Sequence, residues 1–238
     1  MSPEEIVARV LYRDALMLVL DKPAGLPVHP GPKGGETLFR HLDALRFGLP
    51  RRPQVAHRLD RDTSGCLVLG RHAKALARLG DLFRRGEVDK VYWAVVEGGP
   101  EAEAGEIDLP LARRSPERGW WMKADPKGQP ALTKWRVLGR ADGRALLKLR
   151  PVTGRTHQLR VHCAAMGWPI LGDAVYGRAP RSGGPALHLH ARAVAVPLYP
   201  RKPPVAVEAP VPEHMRDRVE ACGPRPSSPA GAEDVRPR

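Results

Sequence analysis

Six short apolar runs, each closed by glycine, proline or a polar turn, constrain this chain more than any other feature. They are Leu16–Leu20, "GCLVLG" at 65–70, "DKVYWAVVEG" at 89–98, "TKWRVLGR" at 133–140, "ALLKLRPVTG" at 145–154 and "ALHLHARAVAVPL" at 186–198. Runs this short, rich in β-branched and aromatic residues, are read as strands. The third places Tyr92 and Ala94 on one face and Val91, Trp93 and Val95 on the other. The last places Leu187, Leu189, Ala191, Ala193 and Ala195 on one side, with His188, His190 and Arg192 opposite. Asp142 and Gly143 join the fourth and fifth runs as a hairpin turn. Helical spacing is confined to three stretches. From Thr37 to about Phe47, Leu38, Leu42 and Leu45 define a surface helix. From 72 to 86, Leu76, Leu79, Leu82 and Phe83 share a face, with Gly86 at the C-terminal end. The third stretch is capped by Thr156, carries Leu159, Cys163 and Met166 inward, and ends at Gly167 and Pro169. Strands adjacent in sequence favour antiparallel pairing, and no regular strand–helix alternation supports a doubly wound sheet. The expected class is α+β, a mainly antiparallel mixed sheet with flanking helices and loops.

Charge narrows the partner. Across 238 residues, 39 Lys and Arg stand against 26 Asp and Glu, a net charge of +13. Between residues 111 and 160, thirteen basic residues face only Glu117, Asp125 and Asp142, so the basicity belongs to the folded body. A polyanion is the natural partner of such a surface. Cys66, Cys163 and Cys222 are odd in number and widely spaced, which argues against a disulfide framework or a thiolate zinc site. A reducing cytoplasm fits. "MSPEEIVARV" has no signal-peptide character, and no run of eighteen apolar residues suggests a membrane span. "GPKGGET" lacks the Gly-Lys-Ser/Thr ending of a phosphate-binding loop. His157, His162, His188 and His190 share no recognised ligand spacing, so no metal is expected. Ser64 lies outside any nucleophile elbow.

The chemistry concentrates in "VAHRLDRDTSGCLVLG" at 55–70, which sets Arg58, Asp60, Arg61 and Asp62 between two apolar elements. An exposed carboxylate–guanidinium pair contributes only about 0–1 kcal/mol and is one reading. The other is that Asp60 lines a cleft, because an acid between apolar runs is costly to desolvate unless it is used. A neighbouring cation would favour its ionised form, and such a carboxylate serves as nucleophile or general base. On residue chemistry alone, a non-catalytic RNA-binding protein and a sugar hydrolase using Asp60 and Asp62 both stay open.

"HRLDRDTSG" at 57–65, "DKVYWAVVEG" at 89–98, "PVTGRTHQLRVHCAAMGWPILGDAVYG" at 151–177 and "LHLHARAVAV" at 187–196 occur in that order, behind the lead-in "VLDKPAGLPVHPG". Together they resemble the signature segments of the RluA-type RNA pseudouridine synthases, over most of residues 14–212. The resemblance implies the pseudouridine synthase fold with a central catalytic cleft. It also implies isomerisation of specific uridines to pseudouridine in structured RNA, a ribosomal or transfer RNA stem-loop, with no cofactor. Position by position, it implies that Asp60 acts on the target uridine, Tyr92 stacks on or supports the base, and Arg160 pairs with the aspartate. Arg58 matches an arginine that helps displace the base. His57, Thr63, Arg155, His157 and Gln158 fall in the same strings and are expected to bind substrate with it. Whether Asp60 attacks the sugar, removes a sugar proton or adds to the ring stays open. The expected organisation is an N-terminal lead-in at 1–13, the catalytic domain at 14–212 and a tail at 213–238, disordered from about 223. No separate N-terminal RNA-binding domain is expected, and the chain is read as a cytoplasmic monomer without a membrane partner.

Overall fold

The computed structural model describes residues 1–31, 34–115 and 120–223. The chain opens with helix α1 (Pro3–Val7), whose first turn is closed by a reciprocal Ser2–Glu5 capping box, then strands β1 (Val10–Arg13) and β2 (Met17–Lys22). A 3-10 helix at Leu38–Leu45 precedes β3 (Gln54–Val55), β4 (Ser64–Gly70), α2 (Ala73–Arg84) and β5 (Asp89–Glu97). Next come β6 (Ala104–Asp108), the small hairpin β7 (Leu111–Arg113) and β8 (Met122–Ala124), then β9 (Leu132–Ala141) and β10 (Arg144–Pro151). Helix α3 (Gln158–Ala165), β11 (Leu189–Val196), β12 (Val205–Glu208) and α4 (Glu213–Cys222) complete it.

One large sheet runs β1-β2-β4-β11-β5-β10-β9-β6, with β3 on β4 and β12 on β11. Its pairings are antiparallel except β4 with β11, so the sheet is mixed as the sequence predicted. The β9–β10 turn has Asp142 at φ 51° and Gly143 at φ 68°, the left-handed pair that a tight hairpin demands. At the parallel joint Ser64 faces His190 and Gly65 faces Ala191. Gly65 has φ +100°, and a Cβ there would stand 2.3 Å from the Ala191 carbonyl oxygen, so only glycine admits this approach.

Apolar burial divides into two main cores along the sheet. One gathers Met17–Leu20 and Leu67–Leu69 with Leu38, Leu42, Leu79 and Val194. The other gathers Ala94, Val96, Leu147 and Leu149 with Trp135, Leu159, Cys163 and Trp168. Tyr92 packs against both, which puts β5 at the junction of the two halves.

Several local expectations are corrected. The surface helix over Thr37–Phe47 is a 3-10 helix with Leu38, Leu42 and Leu45 wholly buried. Its first amides bond outward, Leu38 N–H to Pro27 O and Phe39 N–H to Val28 O, so tertiary contacts replace α-helical ones. Thr156 does not cap α3; His157 precedes the helix with φ 53°. Met166 is exposed, because the helix ends before it and the turn at Gly167 sends Trp168 into the core instead. The alternation along β11 breaks at a bulge between Ala191 and Ala193, so Val194 and Val196 turn inward in place of Ala193 and Ala195. His188 and His190 are buried, His190 bonding Ser64 Oγ at 2.8 Å and His188 meeting the His214 ring of α4 at 5.6 Å, so that face is packed against the fold instead of solvated. The tail expected to be disordered lies, from residue 224, outside the described residues.

Candidate active site

Asp60 stands on the turn that feeds β4, where the Thr63 amide donates to its carbonyl at 3.2 Å. The turn is tied from below by Lys22, fully buried at the end of β2. Its Nζ donates to the carbonyls of Pro23 at 2.8 Å, Leu26 at 2.9 Å and Arg61 at 2.9 Å. Burial pulls the Lys22 pKa down to about 7, against which the three acceptors match the three hydrogens of an ammonium group. The two acids of this stretch part company. Asp62 pairs with Arg61 at 2.9 Å in solvent, while the Asp60 side chain, 18% exposed, turns inward.

Arg160, in the first turn of α3, is the cation that Asp60 meets. Its Nε and Nη2 both donate to the Asp173 carboxylate at 2.8 Å, and Nη1 lies 3.6 Å from Asp60 Oδ2. Asp173 is buried, which pushes its carboxyl up. The Arg160 guanidinium and the amides of Val175 and Tyr176 outweigh that push and bring it below the ordinary range. One guanidinium is thus held rigidly by one carboxylate and presented to another.

His157 reaches Asp60 from the same segment, Nε2 at 3.6 Å from Oδ2, with Nδ1 2.8 Å from the Tyr176 hydroxyl. That hydroxyl accepts the Met122 amide at 2.9 Å, which frees its hydrogen for Nδ1 and turns Nε2–H toward Asp60. Burial holds the His157 pKa below its usual value, so the imidazole is neutral at neutral pH. Tyr92 rises from β5 beside Asp60; burial, with the Asp60 charge adding, raises its phenol pKa.

All nine residues singled out in the sequence line one cavity of about 220 Å³. That is below the roughly 300–1,000 Å³ of drug-sized pockets and suits a single base. They do not all face it in the same way. Arg58 and Arg155 are exposed at the mouth; Arg155 Nε donates to Pro130 O, and Arg58 has no ion-pair partner among the described residues. Thr63 is a buried wall. Gln158 is saturated, its Oε1 accepting from Thr153 and Arg155 and its Nε2 donating to Leu132 and Thr133, so it shapes the 153–155 loop. His57 stacks on Phe83 at 4.3 Å, accepts the Val68 amide at 3.0 Å, and is pushed by burial down to about 3. Sequence reasoning missed Asp173 and Tyr176, although "PILGDAVYG" carries both, and it missed Lys22 in "LDKPAG" and Lys90 on the cavity wall. Among the described residues, no cluster of His, Cys, Asp or Glu is placed to hold a metal ion.

The basic stretch from 111 to 160 is less free than its composition implied. Lys134 pairs with Glu106 at 3.1 Å, Arg140 with Glu103 at 2.6 Å and Arg150 with Asp89 at 3.0 Å, acids that lie outside the stretch in sequence.

The mixed sheet and the cleft beside β5 can be set against known proteins, and the comparisons give the class as an RNA-modifying enzyme. The sequence profile of the RNA pseudouridylate synthase family matches residues 16–165. An uncharacterized RNA pseudouridine synthase of Zymomonas mobilis is 46% identical over 214 residues, covering 89% of this chain and 97% of that protein. The ribosomal large subunit pseudouridine synthase D of Yersinia pestis is 38% identical over 185 residues, covering 76% of this chain but 56% of that protein. The solved structure of human RNA pseudouridylate synthase domain containing 4 superposes with a TM-score of 0.78 at 26% identity. That match covers 92% of this chain and 94% of that one. The chain belongs to the RNA pseudouridylate synthase family, as its RluA-type motifs implied, and is an RNA-modifying isomerase. Among the described residues no helix is long and apolar enough to cross a membrane.

Proposed function

We propose that Asp60 is the reactive carboxylate that isomerises a uridine everted from a stem-loop of ribosomal or transfer RNA. The reading is carried by one observation: Asp60, Tyr92 and Arg160 converge on a cavity with room for one base. A flipped base fits such a pocket, whereas one stacked inside an A-form helix is out of reach. The isomerisation breaks the bond from ring N1 to the sugar, turns the freed uracil, and rejoins it through C5; N1 gains a proton and C5 loses one. Redox state does not change and no group is donated, so the reaction balances without a cofactor. Asp60 acts on the sugar or the ring, Arg160 pairs with it, and Tyr92 gives the base an aromatic face worth roughly 1–3 kcal/mol. Arg58 and Arg155 at the mouth meet phosphates, and His57, Thr63, His157 and Gln158 bind or shape the site. The name of the Yersinia pestis relative makes large-subunit ribosomal RNA the first substrate to try. The remaining parts of the proposal are that the chain works as a cytoplasmic monomer and that residues 14–212 form the catalytic domain, with 213–238 as a tail.

Asp60→Asn tests the role of the carboxylate. An amide neither attacks nor deprotonates, so pseudouridine formation in ribosomal RNA falls at least about 100-fold while RNA affinity stays within about twofold. Near-normal turnover by the variant would remove Asp60 from the chemistry.

A further inference from the structure

A second cavity, of about 710 Å³, shares Asp60, His157 and Arg160 with the first and is otherwise lined by different residues. Its outer rim is aromatic. Trp120 is 54% exposed, the most of any large apolar side chain among the described residues, and its ring stands steeply inclined to both Trp121 at 5.5 Å and His157 at 5.4 Å. Cations lie against the neighbouring ring: Arg181 is 5.4 Å and Arg114 5.8 Å from the Trp121 ring, within cation–π range. An indole face left in water beside guanidinium groups is how single-stranded nucleic acids are held, the base on the ring and the phosphate on the cation.

We infer that the second cavity is a subsite for the unpaired nucleotide next to the target uridine, whose base stacks on Trp120 while its phosphate faces Arg181. The inference rests on the uridine occupying the first cavity. His157 then forms the partition between neighbouring nucleotides, in contact with Asp60 on one side and Trp120 on the other. Two bases parted by one side chain cannot stack on each other, so the platform replaces the stacking that eversion removes. The occupant is a base of any identity, because an indole face carries no donor–acceptor code. The subsite therefore demands that the target lie in an unpaired stretch without dictating its neighbour.

The test is a binding cycle. The probe is a fluorescein-labelled short strand with one uridine among adenosines, compared with strands abasic immediately before or after the uridine. With wild-type protein, one of the two abasic strands binds roughly five- to hundredfold more weakly. Trp120→Ala loses a similar factor on the intact strand and no longer responds to that abasic site, whereas Trp120→Phe, which keeps a ring, retains most of the affinity. Unchanged thermal unfolding of both variants, expected for an exposed side chain, confirms that the fold is intact. Losses that simply add, or equal affinity of wild type and Trp120→Ala for the intact strand, would overturn the subsite. The readout needs no turnover, so it is separable from the proposed reaction. If wild-type protein forms no pseudouridine in cellular RNA, the reaction fails whatever the cycle gives.

Discussion

The residue that holds the site together is Asp173, which no substrate need touch. It fixes the Arg160 guanidinium through two 2.8 Å bonds and leaves one nitrogen for Asp60. Asp173→Asn strands a buried cation, and breaking one partner of such a pair costs roughly 3–5 kcal/mol. Denaturant unfolding of the variant at neutral pH measures it. The pH dependence has a definite sign. The folded carboxyl of Asp173 titrates below its unfolded value, so its contribution is complete above the ordinary carboxylate range and drains away as pH falls through the folded pKa. Wild type therefore loses more stability than Asp173→Asn on acidification below that range. Parallel unfolding curves for the two proteins across acid pH would contradict the buried pair.

At the scale of elements, the joint of β4 with β11 places the turn that carries Asp60, since that residue lies just ahead of this parallel pairing. Gly65→Ala combines a left-handed backbone with a Cβ thrust at the Ala191 carbonyl, a penalty of roughly 2–6 kcal/mol. A melting temperature within a few degrees of wild type would refute that tightness. The elements also show what the sequence disclosed. Strands with clean alternation, such as Asp89–Glu97, and the Asp142–Gly143 turn were legible because period and turn chemistry are local. The nine cavity residues were legible because the two short strings and one strand that carry them match the motifs of a known family. What escaped was decided across the fold. The β11 bulge, the 3-10 turn bonded to Pro27 and Val28, and the Arg160–Asp173 pair each depend on a neighbour that no spacing rule supplies.

Over the whole molecule, charge acts by position more than by sum. Lys134 and Arg140 are already paired with Glu106 and Glu103, while Arg58 and Arg155 stand exposed at the cavity mouth. Removing one cation that neutralises a phosphate should flatten the dependence of log affinity on log salt by about 0.7–0.9. Arg58→Ala and Arg155→Ala should each show that change in titrations across salt concentrations, and Arg140→Ala should show none; the reverse pattern would move the RNA track to the β6–β9 edge. The parallel joint has one more consequence. Ser64 and His190 are 126 residues apart in the chain, so the turn bearing Asp60, held early by β2, gains support on its other side only after the late strand arrives. Because such distant pairings form slowly and synthesis proceeds from the N-terminus, a nascent polypeptide whose β11 has yet to pair carries an unfinished catalyst. Competence to act on RNA therefore begins only once β11 has taken its place beside β4.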